Sequence, residues 1–114
     1  MRVVRGKKIL EMGGAQLKGL VASYHSAALD IATGDGRYVY QEARQRPDTL
    51  FLGIDTEPTG LEKYSRKASR KPSRGGRPNV LYLWAGVDDV PPELEGSASE
   101  ITVLFPWGEL LRRL

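Results

Sequence analysis

Apolar positions along this chain gather into four short, dense runs separated by polar stretches rich in turn residues. The runs are "AALDIA" (27–32), "TLFLGID" (49–55), "NVLYLWAG" (79–86) and "EITVLFPW" (100–107). Runs of this length, bounded by Gly, Pro and Asp, predict buried strands. Between the first two lies "RYVYQEARQR" (37–46), where Tyr38 and Val39 recur toward Glu42, Ala43 and Arg46 at helical spacing. Pro47 and Asp48 end that helix. Residues 57–71 predict a second helix, begun near Pro58 and stopped by Pro72. "VPPEL" (90–94) reads as a turn or short helix, and "GELLRRL" as the first turns of another helix, with Arg112 and Arg113 as its C-terminal charges. The chain shows no internal repeat. Strands alternating with helices predict a parallel α/β sheet with right-handed crossovers.

In such sheets, ligands bind outside the carboxyl ends of the strands, where the strand order reverses. Asp30 closes the first run and leads into "IATGDG", where Gly34 and Gly36 allow close backbone approach and the next helix offers its N-terminus. Asp55 closes the second run, where an acid commonly takes ribose hydroxyls. An acid at the end of two adjacent strands points to a nucleotide-like ligand. The loop is not GxGxxG, which disfavours NAD. An acid before the loop suits a ligand with a positive end, such as the amino group and sulfonium of S-adenosylmethionine (SAM).

Composition narrows the class. The 114 residues, 40% apolar and 27% charged, suit one soluble domain able to bury about two-thirds of its unfolded surface. No apolar run reaches the roughly 20 residues of a membrane span. "MRVVRGKKIL" has no secretory h-region, so a cytoplasmic protein is expected. The absence of cysteine removes disulfides, zinc–thiolate sites and a Cys nucleophile. The lone histidine, His25, excludes a multi-histidine metal site and reads as a helix-end or strand-start residue.

The net charge of +3 is unevenly spread. "KYSRKASRKPSRGGR" (63–77) carries seven basic residues and no acid: Lys63, Arg66, Lys67, Arg70, Lys71, Arg74 and Arg77. A second basic group, Arg2, Arg5, Lys7 and Lys8, lies near the start, while Asp88, Asp89, Glu93, Glu95 and Glu100 gather elsewhere. Such segregation implies an anionic partner, with a solvated helix face and flexible loop as the alternative. Trp84, alternating with Tyr82, reads as core; Tyr38 and Tyr40 read as packing for the first helix. Trp107, between Pro106 and Gly108, lies outside any apolar period and suits a surface stacking role.

"DIATGDGRYVYQEARQRPDTLFLGID" resembles motif I and its sequel in SAM-dependent methyltransferases. "SRKASRKPSRGGRPNVLYLWA", "VPPEL" and "ITVLFPWGELL" are similar in order and spacing to the 16S rRNA (adenine-N1)-methyltransferases of the kanamycin–apramycin resistance type. The resemblance covers nearly the whole chain and implies a Rossmann-like class I methyltransferase sheet using SAM on 16S rRNA of the 30S subunit. It places Asp30, Ala32, Thr33, Gly34 and Gly36 around the methionine end of SAM. Asp55 would take the ribose, Val87 and Asp88 the adenine, and Leu104 part of the floor. Trp107 would stack on the flipped target adenine, and the basic residues of 63–77 would meet RNA.

Ala32 departs from the pattern, standing where motif I usually begins with Gly, as does Glu109, where relatives carry a small hydroxyl residue. The larger departure is length, since these enzymes resemble a seven-stranded sheet in a chain nearly twice as long. About four parallel strands are expected here. The fourth would then have an open edge, and self-association through residues 101–105 or marginal stability would follow. The alternative functions are a SAM-binding or RNA-binding unit without catalysis, or another nucleotide-binding module.

Overall fold

The computed structural model describes residues 1–89 together with the strand backbones at 100–104 and 110–113. An N-terminal hairpin, β1 (Arg2–Arg5) and β2 (Lys8–Glu11), precedes helix α1 (Gly14–Ala22). Strand β3 (Ser26–Ile31), helix α2 (Arg37–Gln45) and strand β4 (Thr49–Asp55) follow. Then come helix α3 (Glu62–Ala68), β5 (Val80–Trp84), β6 (Glu100–Leu104) and β7 (Leu110–Arg113). They build one sheet of order β2-β1-β5-β4-β3-β6-β7.

Four strands, β5-β4-β3-β6, are parallel. The four apolar runs supply them, because strands covered on both faces need apolar side chains in both directions. One face carries Leu29, Leu50, Leu52, Ile54 and Leu83 against Leu17 and Val21 of α1. The other carries Ala28, Phe51 and Tyr82 against Val39 and Ala43 of α2 and Leu61, Tyr64 and Ala68. The chain steps outward from β3 through β4 to β5, then returns to the far side of β3 as β6. The order therefore reverses at β3, and the carboxyl end of that strand is the topological switch point.

The sheet is wider than the four strands expected. The β1–β2 hairpin adds two antiparallel strands beyond β5, with Val3 opposite Leu83 and Val4 opposite Tyr82. The buried residues of its two strands are the adjacent pair Val3 and Val4, one for each face, inside a charged stretch. Residues 110–113 are a strand and not helical turns: β7 pairs antiparallel with β6, with Thr102 opposite Arg112 and Ile101 opposite Arg113. A helical turn or two is a costly nucleus, whereas the outer edge of β6 supplies backbone partners. The edge of β6 is thus covered, which removes the stated cause of self-association through 101–105, and the sheet's outer strands are β2 and β7.

Three smaller differences are local. The expected helix over 57–71 is divided into a 3-10 turn (Pro58–Leu61), α3, and a second 3-10 turn (Pro72–Arg74). Helix α3 stops at Ala68, whose carbonyl accepts the Arg77 N–H at 2.9 Å as the chain doubles back. Trp84 is only half-buried, with the Arg2 guanidinium 3.8 Å from its ring centroid, while Tyr82 is the buried member of the pair. Tyr38 and Tyr40 pack against the α2–α3 core as expected. His25 directly precedes β3, its N–H donating to the Asp48 carbonyl at 3.0 Å. The "VPPEL" segment, Trp107 and Glu109 lie outside the described residues.

Candidate cofactor site

The loop between β3 and α2 is organised from within by two carboxylates. Asp30, 5% exposed, accepts a hydrogen bond from the Thr33 hydroxyl at 2.6 Å. Burial pushes its carboxyl above the usual carboxylate range, and the Thr33 bond opposes that shift. Thr33 is itself fixed to the neighbouring strand, its N–H donating to the Ile54 carbonyl at 2.9 Å. Asp55 receives the Gly34 N–H on Oδ2 and the Glu57 N–H on Oδ1, both at 2.9 Å. One carboxylate thus ties the tip of the first loop to the start of the second. An ionised carboxylate has about four acceptor positions, so roughly two remain for a ligand.

The two glycines of the loop play different parts. Gly34, at φ +68°, faces open space: a Cβ there would meet nothing within 4 Å. Gly36, at φ +83°, lies against Tyr82, and a Cβ would run into the tyrosine ring. Tyr82 in turn donates its hydroxyl to the Gly36 carbonyl at 2.7 Å. Gly36 is therefore packed against Tyr82, which leaves no room on that side for the close approach expected of it, whereas Gly34 faces open space. Ala32 also has positive φ (58°), the left-handed conformation that a motif glycine adopts freely. For alanine it costs about 1 kcal/mol. Its methyl group is tolerated because Ala32 is exposed.

The remaining cofactor candidates gather at the same end of the sheet. Val87 and Asp88 lie in a 3-10 turn (Val87–Asp89) just past β5, two residues beyond Ala85, whose N–H donates to the Asp55 carbonyl at 3.0 Å. Asp88 is exposed. Leu104 is the last residue of β6, one beyond Val103, which pairs with Ile31. One neighbour was not evident in the sequence. The Pro58–Leu61 turn brings Gly60 close to the Gly34 carbonyl, so the segment after Asp55 walls the loop tip. The Gly in "PTGL" was its only signal.

The site thus offers a glycine tip with free space, a carboxylate with acceptor capacity, and a second, buried carboxylate behind the loop. That donor set fits a ribose-bearing ligand with a cationic end. No group of three or more metal-ligating side chains occurs among the described residues. No described helix is long and apolar enough to cross a membrane.

Of the basic residues of 63–77, Lys63, Arg66, Arg70, Lys71 and Arg74 are exposed and Lys67 is half-buried. Lys63 and Lys67 each sit 5.3 Å from the Tyr64 ring centroid. Arg77 differs, because it is used internally. Its Nη1 donates to the Gly75 and Gly76 carbonyls, both at 3.1 Å, and its guanidinium lies 4.7 Å from the Tyr40 ring. A recess of about 560 Å³ lies elsewhere, at the amino end of β5 between the hairpin and α3, lined among others by Val3, Arg5, Ser65, Arg70 and Leu81.

A sheet with this strand order and a carboxylate-braced loop at the switch point defines a SAM-methyltransferase-like α/β protein. The structure overlays that of the antibiotic-resistance methyltransferase Kmr with a TM-score of 0.88 and 42% identity, covering 94% of this chain and 55% of that one. It also matches a variant of the 16S rRNA (adenine(1408)-N(1))-methyltransferase of Catenulisporales acidiphilia, solved with its cosubstrate SAM. There the TM-score is 0.86 at 33% identity, covering 96% of this chain and 53% of that one. The NpmA family model, described as 16S rRNA (adenine(1408)-N(1))-methyltransferase, matches residues 2–114, and the chain belongs to that family. It is 46% identical over 112 residues to the enzyme of that name from Streptoalloteichus hindustanus, covering 98% of this chain and 51% of the relative. It is 35% identical over 111 residues to the one from Escherichia coli, covering 97% and 51%. The chain spans about half the length of these relatives.

Proposed function

We propose that this chain is the SAM-binding portion of an enzyme that methylates N1 of an adenine in 16S rRNA of the 30S subunit. Such a modification of the ribosome would confer aminoglycoside resistance and would take place in the cytoplasm. The observation that carries the reading is the Asp55 carboxylate, held by the Gly34 and Glu57 N–H groups at the end of β4, beside a loop tip with open space. Asp55 would take the ribose hydroxyls, and the Gly34 backbone the methionine end. The Val87–Asp88 turn would border the adenine, with Leu104 near it. Asp30, buried behind the loop, would bias the site toward a cationic ligand.

SAM supplies a methyl group on a sulfonium, a good leaving group, and adenine N1 already carries a lone pair. The protein then needs no strong acid or base; its work is to hold both partners in line and to accept an unstacked base. The described residues hold one partner. Trp107, outside them, is proposed to stack on the target base. Lys63, Arg66, Lys67, Arg70, Lys71 and Arg74 are proposed to meet rRNA phosphates, whereas Arg77 serves chiefly to close its own loop.

Calorimetry with S-adenosylhomocysteine (SAH) tests the reading. Binding is expected, and Asp55→Ala should weaken it by about 1–3 kcal/mol, since the ribose hydroxyls lose a charged acceptor. A folded sample that binds neither SAM nor SAH, or a variant of unchanged affinity, would overturn the assignment.

A further inference from the structure

The two basic segments, some sixty residues apart in sequence, meet in the fold. Strand β1 runs antiparallel to β5, so Arg5 and the turn after it point toward the amino end of β5. Helix α3 begins just after the carboxyl end of β4 and is followed by the Pro72–Arg74 turn that leads to the same amino end. A buried hydrogen bond joins them: the Gly6 N–H at the hairpin turn donates to Ser65 Oγ of α3 at 2.8 Å. Gly6 also lies against the aliphatic stem of Arg66. Arg5 and Arg70 line one shared recess of about 560 Å³.

The charges at this junction are unbalanced. Arg5 and Lys8 sit directly opposite each other in the antiparallel ladder, and Lys7 lies in the turn between them. Like charges so placed are destabilising. Arg5, Lys7, Lys8, Arg66 and Arg70 are all exposed. Among the described residues none of them forms an ion pair. Repulsion that the fold leaves uncompensated is relieved when an anion binds. The surface lies at the end of the sheet opposite Asp30 and Asp55, so it holds a partner without touching the methyl donor.

We propose that the β1–β2 turn and α3 form one composite surface for an RNA phosphate backbone, with Arg5, Lys7 and Lys8 adding contacts to those of Arg66 and Arg70. This rests on the rRNA reading given above. Phosphates spaced along a strand match cations spread over two elements, and each neutralised contact releases counterions.

The test uses this polypeptide and 30S subunits across a salt series, with the triple variant R5A/K7A/K8A. Wild-type affinity should fall steeply with salt. The triple variant should bind about tenfold more weakly at 0.15 M salt, with the slope of log affinity against log salt reduced in magnitude by about 2. Its SAH affinity should be unchanged and its melting temperature equal or higher, because the Arg5–Lys8 repulsion is gone; a merely structural role would lower it. The charge-retaining triple R5K/K7R/K8R should bind like wild type. A wild type that binds with a steep salt slope while R5A/K7A/K8A matches it in affinity and slope would overturn this surface and leave the rRNA reading intact. A wild type with no affinity for 30S subunits would overturn both. Salt-sensitive self-association without RNA would assign the surface to a second copy of the chain and overturn the proposal.

Discussion

Asp30 shows how one group with a proposed role in binding can be buried at the expense of stability. At 5% exposure its carboxylate has lost most of its hydration, and the single Thr33 bond does not fully replace it. Because burial raises the folded-state pKa above its ordinary 3.8, the folded chain holds this proton longer than the unfolded chain does. The stability it contributes is full below about pH 3.8 and is lost as pH rises through the folded-state value. Asp30→Asn keeps an oxygen for Thr33 and removes the charge. The variant should melt at the same or a higher temperature at pH 7, and its stability curve should lack that decline. It should also lose affinity for cationic SAM more than for neutral SAH, by about 1 kcal/mol. Lower stability at every pH with unchanged SAM preference would make the carboxylate purely structural. Of these effects the sequence revealed the position of the acid but not its burial, which depends on tertiary packing around it.

Among the elements, those legible in the sequence were those whose apolar run matched one period. Three of the four parallel strands fall inside the expected runs, β3 starts one residue before its run at Ser26, and α2 ends one residue short of expectation. The hairpin was obscured because only Val3 and Val4 of its strand residues are buried, one for each face, amid Arg2, Arg5, Lys7 and Lys8. Helix α1 contains Gly14 and Gly19, poor helix residues, yet buries Leu17 and Val21 at i, i+4 spacing, a signal that was present. What joins the elements was least legible. Asn79, 4% exposed, directs Nδ2 to the carbonyls of Ala43, Arg46 and Thr49 at 3.0–3.1 Å. It thereby ties the end of α2 to the starts of β4 and β5. Asn79→Ala should cost about 2–3 kcal/mol, because buried carbonyls lose their donor. Asn79→Asp should cost more, since a carboxylate would face three carbonyl oxygens. Urea midpoints at constant m-value would measure both, and a loss under 0.5 kcal/mol for Asn79→Ala would show that the backbone alone holds this junction.

Across the whole molecule, the proposed cofactor and RNA duties would fall at opposite ends of one sheet. The carboxyl ends of β3 and β4 present Asp30, Gly34 and Asp55, while the amino end of β5 gathers the cations of the hairpin and the residues after α3. Such separation predicts that the two ligands bind independently. The reaction needs a third duty, holding an unstacked adenine in line with the methyl group, and a base held on one face retains rotational freedom that in-line transfer cannot tolerate. The chain spans about half the length of the relatives it matches, and Trp107, the aromatic residue proposed to stack on the base, lies outside its described residues. A polypeptide of these 114 residues is therefore expected to bind SAH and 30S subunits together, each with the affinity it shows alone, and to transfer no detectable methyl from tritiated SAM. Adding the remaining half of a relative should restore transfer without changing SAH affinity. Independent binding with no transfer would locate the catalytic deficit in base positioning. Methylation of 30S subunits by the 114-residue polypeptide unaided would show that the donor loop and one docking surface suffice, and would refute this division of labour.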